Sequence, residues 1–167
     1  IATSHPDARF VTPIVTPRLR SIFEAQLRDQ GIAERFTLVD GQSQTVMSAA
    51  DVVLQASGTA VLEAALLQKP AVAAYKVSAL TYLLAKIVFR IRLQHYTLPN
   101  LLTEEPLVPE FMQYEANPGH IAAAVNLLLD NEERRRFISE RFDRLRQELA
   151  LDADQRAAEA IMALARQ

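Results

Sequence analysis

Val52-Val53-Leu54-Gln55-Ala56-Ser57-Gly58-Thr59-Ala60-Val61-Leu62-Glu63 decides the fold. Residues 52–56 form a short apolar run of the kind buried on both faces of a parallel sheet. Ser57-Gly58-Thr59 breaks that run. Residues 60–68 continue with helical character until Lys69-Pro70 stops them. Ala71-Val72-Ala73-Ala74-Tyr75 then resumes as strand. Strand, tight turn, helix and strand with short connections are the marks of a βαβ unit and a parallel sheet.

The alternation extends upstream. Residues 10–15 read as a buried or edge strand, with Pro13 inside it. Pro17 suits the first turn of a helix over residues 18–30. Ile22, Phe23, Ala25 and Leu27 supply its inner face, and Gly31 ends it. Phe36-Thr37-Leu38-Val39 is a second strand, and Val46, Met47, Ala49 and Ala50 fit a short helix before Asp51. Downstream, residues 79–93 read as one longer amphipathic helix, and residues 97–102, with Pro99, as an irregular segment. From Pro106 onward only helices are expected. Asn117-Pro118 is a cap and first-turn pair. Asn131 caps a charged helix with a stripe at Ile138, Phe142, Leu145 and Leu149. Asp152 and Gln155 have capping-box spacing before a final Ala-rich helix. The expected fold class is therefore α/β. A Rossmann-like parallel sheet occupies residues 1–115. Carboxy-terminal helices, 116–167, pack on it or cross to a partner domain.

Composition narrows the function classes. A chain of 167 residues is one domain, or half of a two-domain enzyme. With 50% hydrophobic residues it has a core to bury. Lys and Arg number 18 against 20 Asp and Glu, a balance that argues against a nucleic-acid partner. The absence of Cys excludes disulfides, thiolate zinc sites and thiol nucleophiles. His5, His95 and His120 lack metal-ligand spacing, so neither a metal nor another cofactor is expected. The first residue is Ile, and no signal peptide follows it, so the sequence reads as a piece of a longer chain. No run approaches the roughly 20 apolar residues that span a bilayer.

The turn at 57–59 carries chemistry. It lies at the carboxyl end of a strand, where open α/β sheets bind ligands. The first N–H groups of the following helix lack partners, and the helix dipole favours an anion there. Gly58 lets a phosphate approach the backbone, Ser57 and Thr59 add hydroxyls, and Glu63 is one turn after Thr59 on the same face. A carboxylate at that distance suits a ribose diol. Ser-Gly-Thr is equally an ordinary N-cap with a tight turn, and Glu63 an ordinary solvated helix residue.

Met47-Ser48-Ala49-Ala50-Asp51, Ala56-Ser57-Gly58-Thr59 with Leu62-Glu63, and Lys69-Pro70 together resemble the donor-nucleotide half of a GT-B glycosyltransferase. Leu98-Pro99-Asn100-Leu101-Leu102 and Leu107-Val108-Pro109-Glu110-Phe111-Met112-Gln113 follow in the order of the lipid-A-disaccharide synthase family. The resemblance implies transfer of 2,3-diacylglucosamine from a UDP donor to 2,3-diacylglucosamine 1-phosphate. The products are a β-1,6-linked tetraacyl disaccharide 1-phosphate and UDP, with inversion. It implies that Ser57, Gly58 and Thr59 hold the diphosphate, Glu63 the ribose, and Asn100 a place near the diphosphate or acceptor. Asn100 after Pro99 also suits a plain turn. Gln42 and Gln113 read first as structural. No catalytic residue is assigned, because the general base would belong to the missing amino-terminal domain. The chain alone is expected to be inactive.

From residue 64 to 103 there is no Asp or Glu, while Lys69, Lys76, Lys86, Arg90 and Arg92 are present. Basic residues interleaved with Tyr82 and Phe89 suit an anionic membrane surface, or equally a solvated basic rim. With the family, this implies a cytoplasmic enzyme peripheral to the inner membrane of a Gram-negative bacterium. An apolar stripe at Ile161, Met162 and Leu164 would stay exposed or seek a second copy, making a homo-oligomer. Two other readings remain open. One is another UDP-sugar GT-B enzyme, such as a peptidoglycan N-acetylglucosaminyltransferase or an epimerase. The other is a non-enzymatic α/β domain that docks on a membrane.

Overall fold

The computed structural model describes residues 1–56, 58–78, 95–150 and 153–164. Ser57, the helix expected over 79–93 with its basic residues, and the capping residue Asp152 lie outside the described residues.

The described strands are β1 (Phe10–Ile14), β2 (Phe36–Asp40), β3 (Val53–Gln55), β4 (Ala71–Tyr75) and β5 (Glu110–Met112). The helices are α1 (Pro17–Asp29), α2 (Ser43–Ala49), α3 (Thr59–Leu66), α4 (Leu98–Leu102), α5 (Pro118–Asp130), α6 (Glu132–Leu149) and α7 (Ala153–Leu164). All strand pairs are parallel, as the βαβ alternation requires. They form two ladders, β1–β2 and β3–β4–β5, where one sheet was expected. Pro13 in β1 has no N–H to donate, which fits a strand with a single partner. α2 links the ladders by packing on both β1 and α3.

Two expectations are corrected. Residues 97–102 are not irregular: Leu98–Leu102 is a short helix. Pro99 sits in its first turn, where a missing N–H costs nothing. The stretch after Pro106 is not purely helical either, since Glu110–Met112 pairs with β4 from Ala73 to Tyr75.

The caps follow the sequence. The Thr16 side chain accepts from the Leu19 N–H, and Pro17 opens α1. Gly31, at φ +65°, takes the left-handed position after its end. Asn117 accepts from His120 N–H to start α5, and Asn131 from Arg134 N–H to start α6.

α3 lies at the centre. Val61, Ala64 and Ala65 are fully buried. Val61 and Ala65 pack with Val72 and Ala73 of β4, Val125 and Leu128 of α5, and Ile138 and Phe142 of α6. Ala64 joins Met47, Val53 and Ala71 in a second cluster. Of the expected stripe on α6, Ile138, Phe142 and Leu145 are buried, while Leu149 is exposed. On α7, Ile161, Met162 and Leu164 are exposed.

α6 also grips the turn between α3 and β4. Ser139 donates to the Gln68 carbonyl at 2.8 Å, and the Gln68 amide donates to Asp143. Gln68 is held at φ +59°, a left-handed conformation that a non-glycine residue adopts only when its surroundings hold it there. Hydrogen bonding from Arg146 holds the Asp143 carboxyl below its ordinary pKa of 3.8, with smaller help from Gln147 and Gln68.

Phe142→Ala should cost about 3–5 kcal/mol in urea unfolding, because the ring is fully buried and would leave a cavity. The depressed Asp143 carboxyl stabilises the fold in full above pH 3.8, and the effect fades as pH falls further. The difference in melting temperature between wild type and Asp143→Asn should therefore be present at neutral pH and shrink in acid.

Candidate functional site

β3 ends at Gln55 and α3 begins at Thr59, so the turn between them sits at the carboxyl edge of the three-stranded ladder. Gly58 is the N-cap, with φ +144° and ψ −159°, a conformation that only glycine adopts without strain. Among the described residues no side chain caps α3. A Cβ built on Gly58 would meet nothing within 4 Å, so the space before this turn is open. Gly58 and Thr59 are exposed. The Gln55 amide donates to the Ala60 carbonyl at 2.9 Å and braces strand against helix. Glu63 lies one turn further on, half-buried, with no side-chain partner among the described residues. The arrangement offers the N–H groups of Thr59 and Ala60, without partners among the described residues, to an anion, and a carboxylate acceptor one turn away.

A second clamp shapes the same edge. Gln113 donates its backbone N–H to the Tyr75 carbonyl at 3.0 Å. Its side-chain carbonyl accepts from Val77 N–H at 3.3 Å, and its amide donates to the Val77 carbonyl at 3.2 Å. The side chain thus extends the β4–β5 ladder by one step, from a backbone at φ +55°. This is the structural part expected of Gln113. Gln42 is exposed at φ +57° after β2, on the other ladder, and nothing brings it to Gly58.

Asn100 lies on α4, a helix that packs against α3, and is 4% exposed. Its carbonyl oxygen accepts from the N–H groups of Leu107 and Val108, at 2.8 and 2.9 Å. Its amide donates to the Val108 carbonyl at 2.7 Å and to Glu110 Oε1 at 3.0 Å. Two donors and two acceptor positions are the full capacity of an asparagine side chain.

Glu110 is the residue that sequence reasoning missed as a polar centre. Its Oε1 also accepts from Thr97 N–H at 2.8 Å and from the Thr97 hydroxyl, and its Oε2 from Tyr96 N–H at 3.0 Å. His95 Nδ1 lies 3.5 Å from Oε2. A cavity of about 550 Å³ borders this cluster and includes Tyr96, Glu115, Leu127 and Arg134 in its wall, but, among the described residues, none of the Gly58 turn.

Parallel βαβ ladders with a glycine-broken, uncapped strand-to-helix turn define a Rossmann-like half of the GT-B type. The chain belongs to the lipid-A-disaccharide synthetase family, whose model matches residues 1–164. It is 44% identical to the lipid-A-disaccharide synthase of Alkalilimnicola ehrlichii over 96% of its length, covering 41% of that relative. The Pseudoalteromonas translucida enzyme of the same name is 35% identical over 98% of the chain, with 42% of the relative covered. That of Pasteurella multocida is 38% identical, again over 98% and 42%. The chain thus spans about two-fifths of the length of these relatives.

Gly58→Ala should lose about 1–3 kcal/mol of stability through backbone strain alone, since the space around the new methyl is empty. Chemical denaturation measures it, and an unchanged midpoint would show that the turn relaxes.

Proposed function

We propose that this chain is the donor-nucleotide half of a lipid-A-disaccharide synthase. The whole enzyme transfers diacylglucosamine from its UDP donor to diacylglucosamine 1-phosphate, with inversion and release of UDP. The observation that carries this reading is the turn at Gly58, at the carboxyl edge of a parallel ladder, where no described side chain caps α3 and an added Cβ would meet none of the described residues within 4 Å. In this reading Ser57, Gly58 and Thr59 receive the diphosphate on backbone N–H groups and hydroxyls. The Glu63 carboxylate accepts from the ribose diol. As the donor's C–O bond breaks, charge grows on the departing diphosphate, and fixed N–H dipoles stabilise it without reorganising. No metal or cofactor is needed for that task. The base that takes the acceptor hydroxyl proton comes from the part of the enzyme outside this chain, and the chain alone turns over nothing.

The second element of the proposal is peripheral contact with a membrane. Its support is the acid-free stretch from residue 64 to 103 with its five cations and the acylated substrates that the relatives' name implies. No helix among the described residues is long and apolar enough to cross a bilayer. Each Lys or Arg near an anionic surface contributes on the order of 1 kcal/mol. Charge reversal at Lys86, Arg90 and Arg92 should therefore abolish sedimentation of the full-length enzyme with anionic vesicles. Undiminished sedimentation would remove the membrane element.

Calorimetric titration of the full-length enzyme tests the donor site. UDP should bind and ADP should not. Glu63→Gln should weaken UDP about tenfold, the loss of one charge-assisted hydrogen bond, yet leave 2′-deoxy-UDP nearly unchanged. Absence of UDP binding to the wild type would overturn the reading.

A further inference from the structure

α4 and the residues before it are built inside out. Thr97 and Asn100 are buried at 1% and 4% exposure, while Tyr96, Leu98, Leu101 and Leu102 are 40–53% exposed. Burying a hydroxyl and a carboxamide is unfavourable unless every polar group is paired, and here each is. Glu110, with its side chain 10% exposed, is the acceptor that makes it so. It gathers Tyr96 N–H, both donors of Thr97 and one of Asn100. Thr97 holds the N-cap position of α4 without a side-chain cap, and its hydroxyl donates to Glu110. Asn100 closes the loop by fixing Leu107 and Val108 immediately before β5.

We propose that Asn100 and Glu110 are a positioning pair for the donor site. The knot they form sets α4 against α3, whose first turn is the anion cradle. Asn100 acts through that placement, with no side-chain group left over for the sugar nucleotide. The inference rests on the donor-site reading above. A buried carboxylate with four hydrogen-bond donors is rigid, since releasing any one donor leaves a polar group unpaired. α4 in turn packs on the helix whose N–H groups must face the diphosphate. A small misplacement of such dipoles is enough to slow the chemical step.

A reciprocal swap in the full-length enzyme tests the pair. Asn100→Asp keeps the acceptor for Leu107 and Val108 N–H but sets a carboxylate against Glu110. It should lower kcat about a hundredfold and weaken UDP about tenfold, because the leaving diphosphate and UDP meet the same N–H groups. Asn100→Asp combined with Glu110→Gln restores a donor between the two positions and should recover about tenfold of the loss. Thr97→Val removes one donor and keeps the shape. It should lower kcat about fivefold and provides the measurement if the carboxylate variants do not fold.

A direct contact between Asn100 and the nucleotide predicts a different pattern: neither kcat nor UDP affinity recovers in the double variant, and Thr97→Val leaves both unchanged. Full activity of Glu110→Gln or Thr97→Val with a lowered melting temperature would reduce the knot to a stability element. Either result overturns the proposal. Failure of the wild type to bind UDP would instead remove the donor-site reading beneath it.

Discussion

The structure depends on the burial of α3. One eight-residue helix touches β3, β4, α2, α4 and α6, and three of its side chains have almost no contact with solvent. Small residues at Ala60, Ala64 and Ala65 let those neighbours approach closely, and Val61 fills the space at the centre of the larger cluster. Such a helix cannot rotate or slide without opening several packed contacts at once. Its amino-terminal turn therefore has a fixed place and a fixed dipole direction. For binding an anion this matters more than any single hydrogen bond, because preorganised N–H groups need no rearrangement when charge appears.

Around α3 the chain uses residues at left-handed backbone positions to end elements sharply. Gln42, Gln68 and Gln113 all have φ between +55° and +59°, although none is glycine. For Gln68 and Gln113 the compensation is visible. The first is held from α6 by Ser139 and Asp143, and the second spends its carboxamide on both backbone groups of Val77. Gln42 shows no side-chain capping bond at the start of α2. Each turn sets the exit direction of a strand or helix. Two of the three, Gln42 and Gln113, follow the carboxyl ends of strands on the edge where this architecture binds ligands.

Much of this was legible in the sequence. The first four strands are apolar runs bounded by Gly, Pro or Asp, and local pattern suffices for them. Pro17, Asn117 and Asn131 announce helix starts through side-chain chemistry confined to one turn. β5 was not legible, because three residues beginning with a carboxylate carry no periodicity and become a strand only by pairing with β4. α4 was hidden because Pro99 reads as a breaker, whereas the first turn of a helix tolerates it. The Gly58 turn was legible as a turn, and its positive φ and open front are what the glycine allowed. For Asn100 the sequence placed a polar residue at a sensitive point but could not show whether its amide faced outward. That depends on Glu110, ten positions away, and no local rule links the two.

The Asn100–Glu110 knot also bears on why such a fold keeps a buried carboxylate at all. Removing a charge from water is costly, and several hydrogen bonds to it recover roughly what was lost, so the net gain in stability is small. An apolar substitute could pack the same volume. It would not, however, fix direction. With Pro99 its one fully buried apolar side chain, α4 has few packed contacts to fix it, whereas four donors converging on two oxygens define one arrangement. The same segment leaves Leu98, Leu101 and Leu102 40–53% exposed and fully buries only Pro99 among its apolar side chains, so apolar burial holds it only in part. Directional polar contacts supply the rest. Where the neighbouring helix carries the proposed anion cradle, that specificity is worth more than the modest stability an apolar core would add.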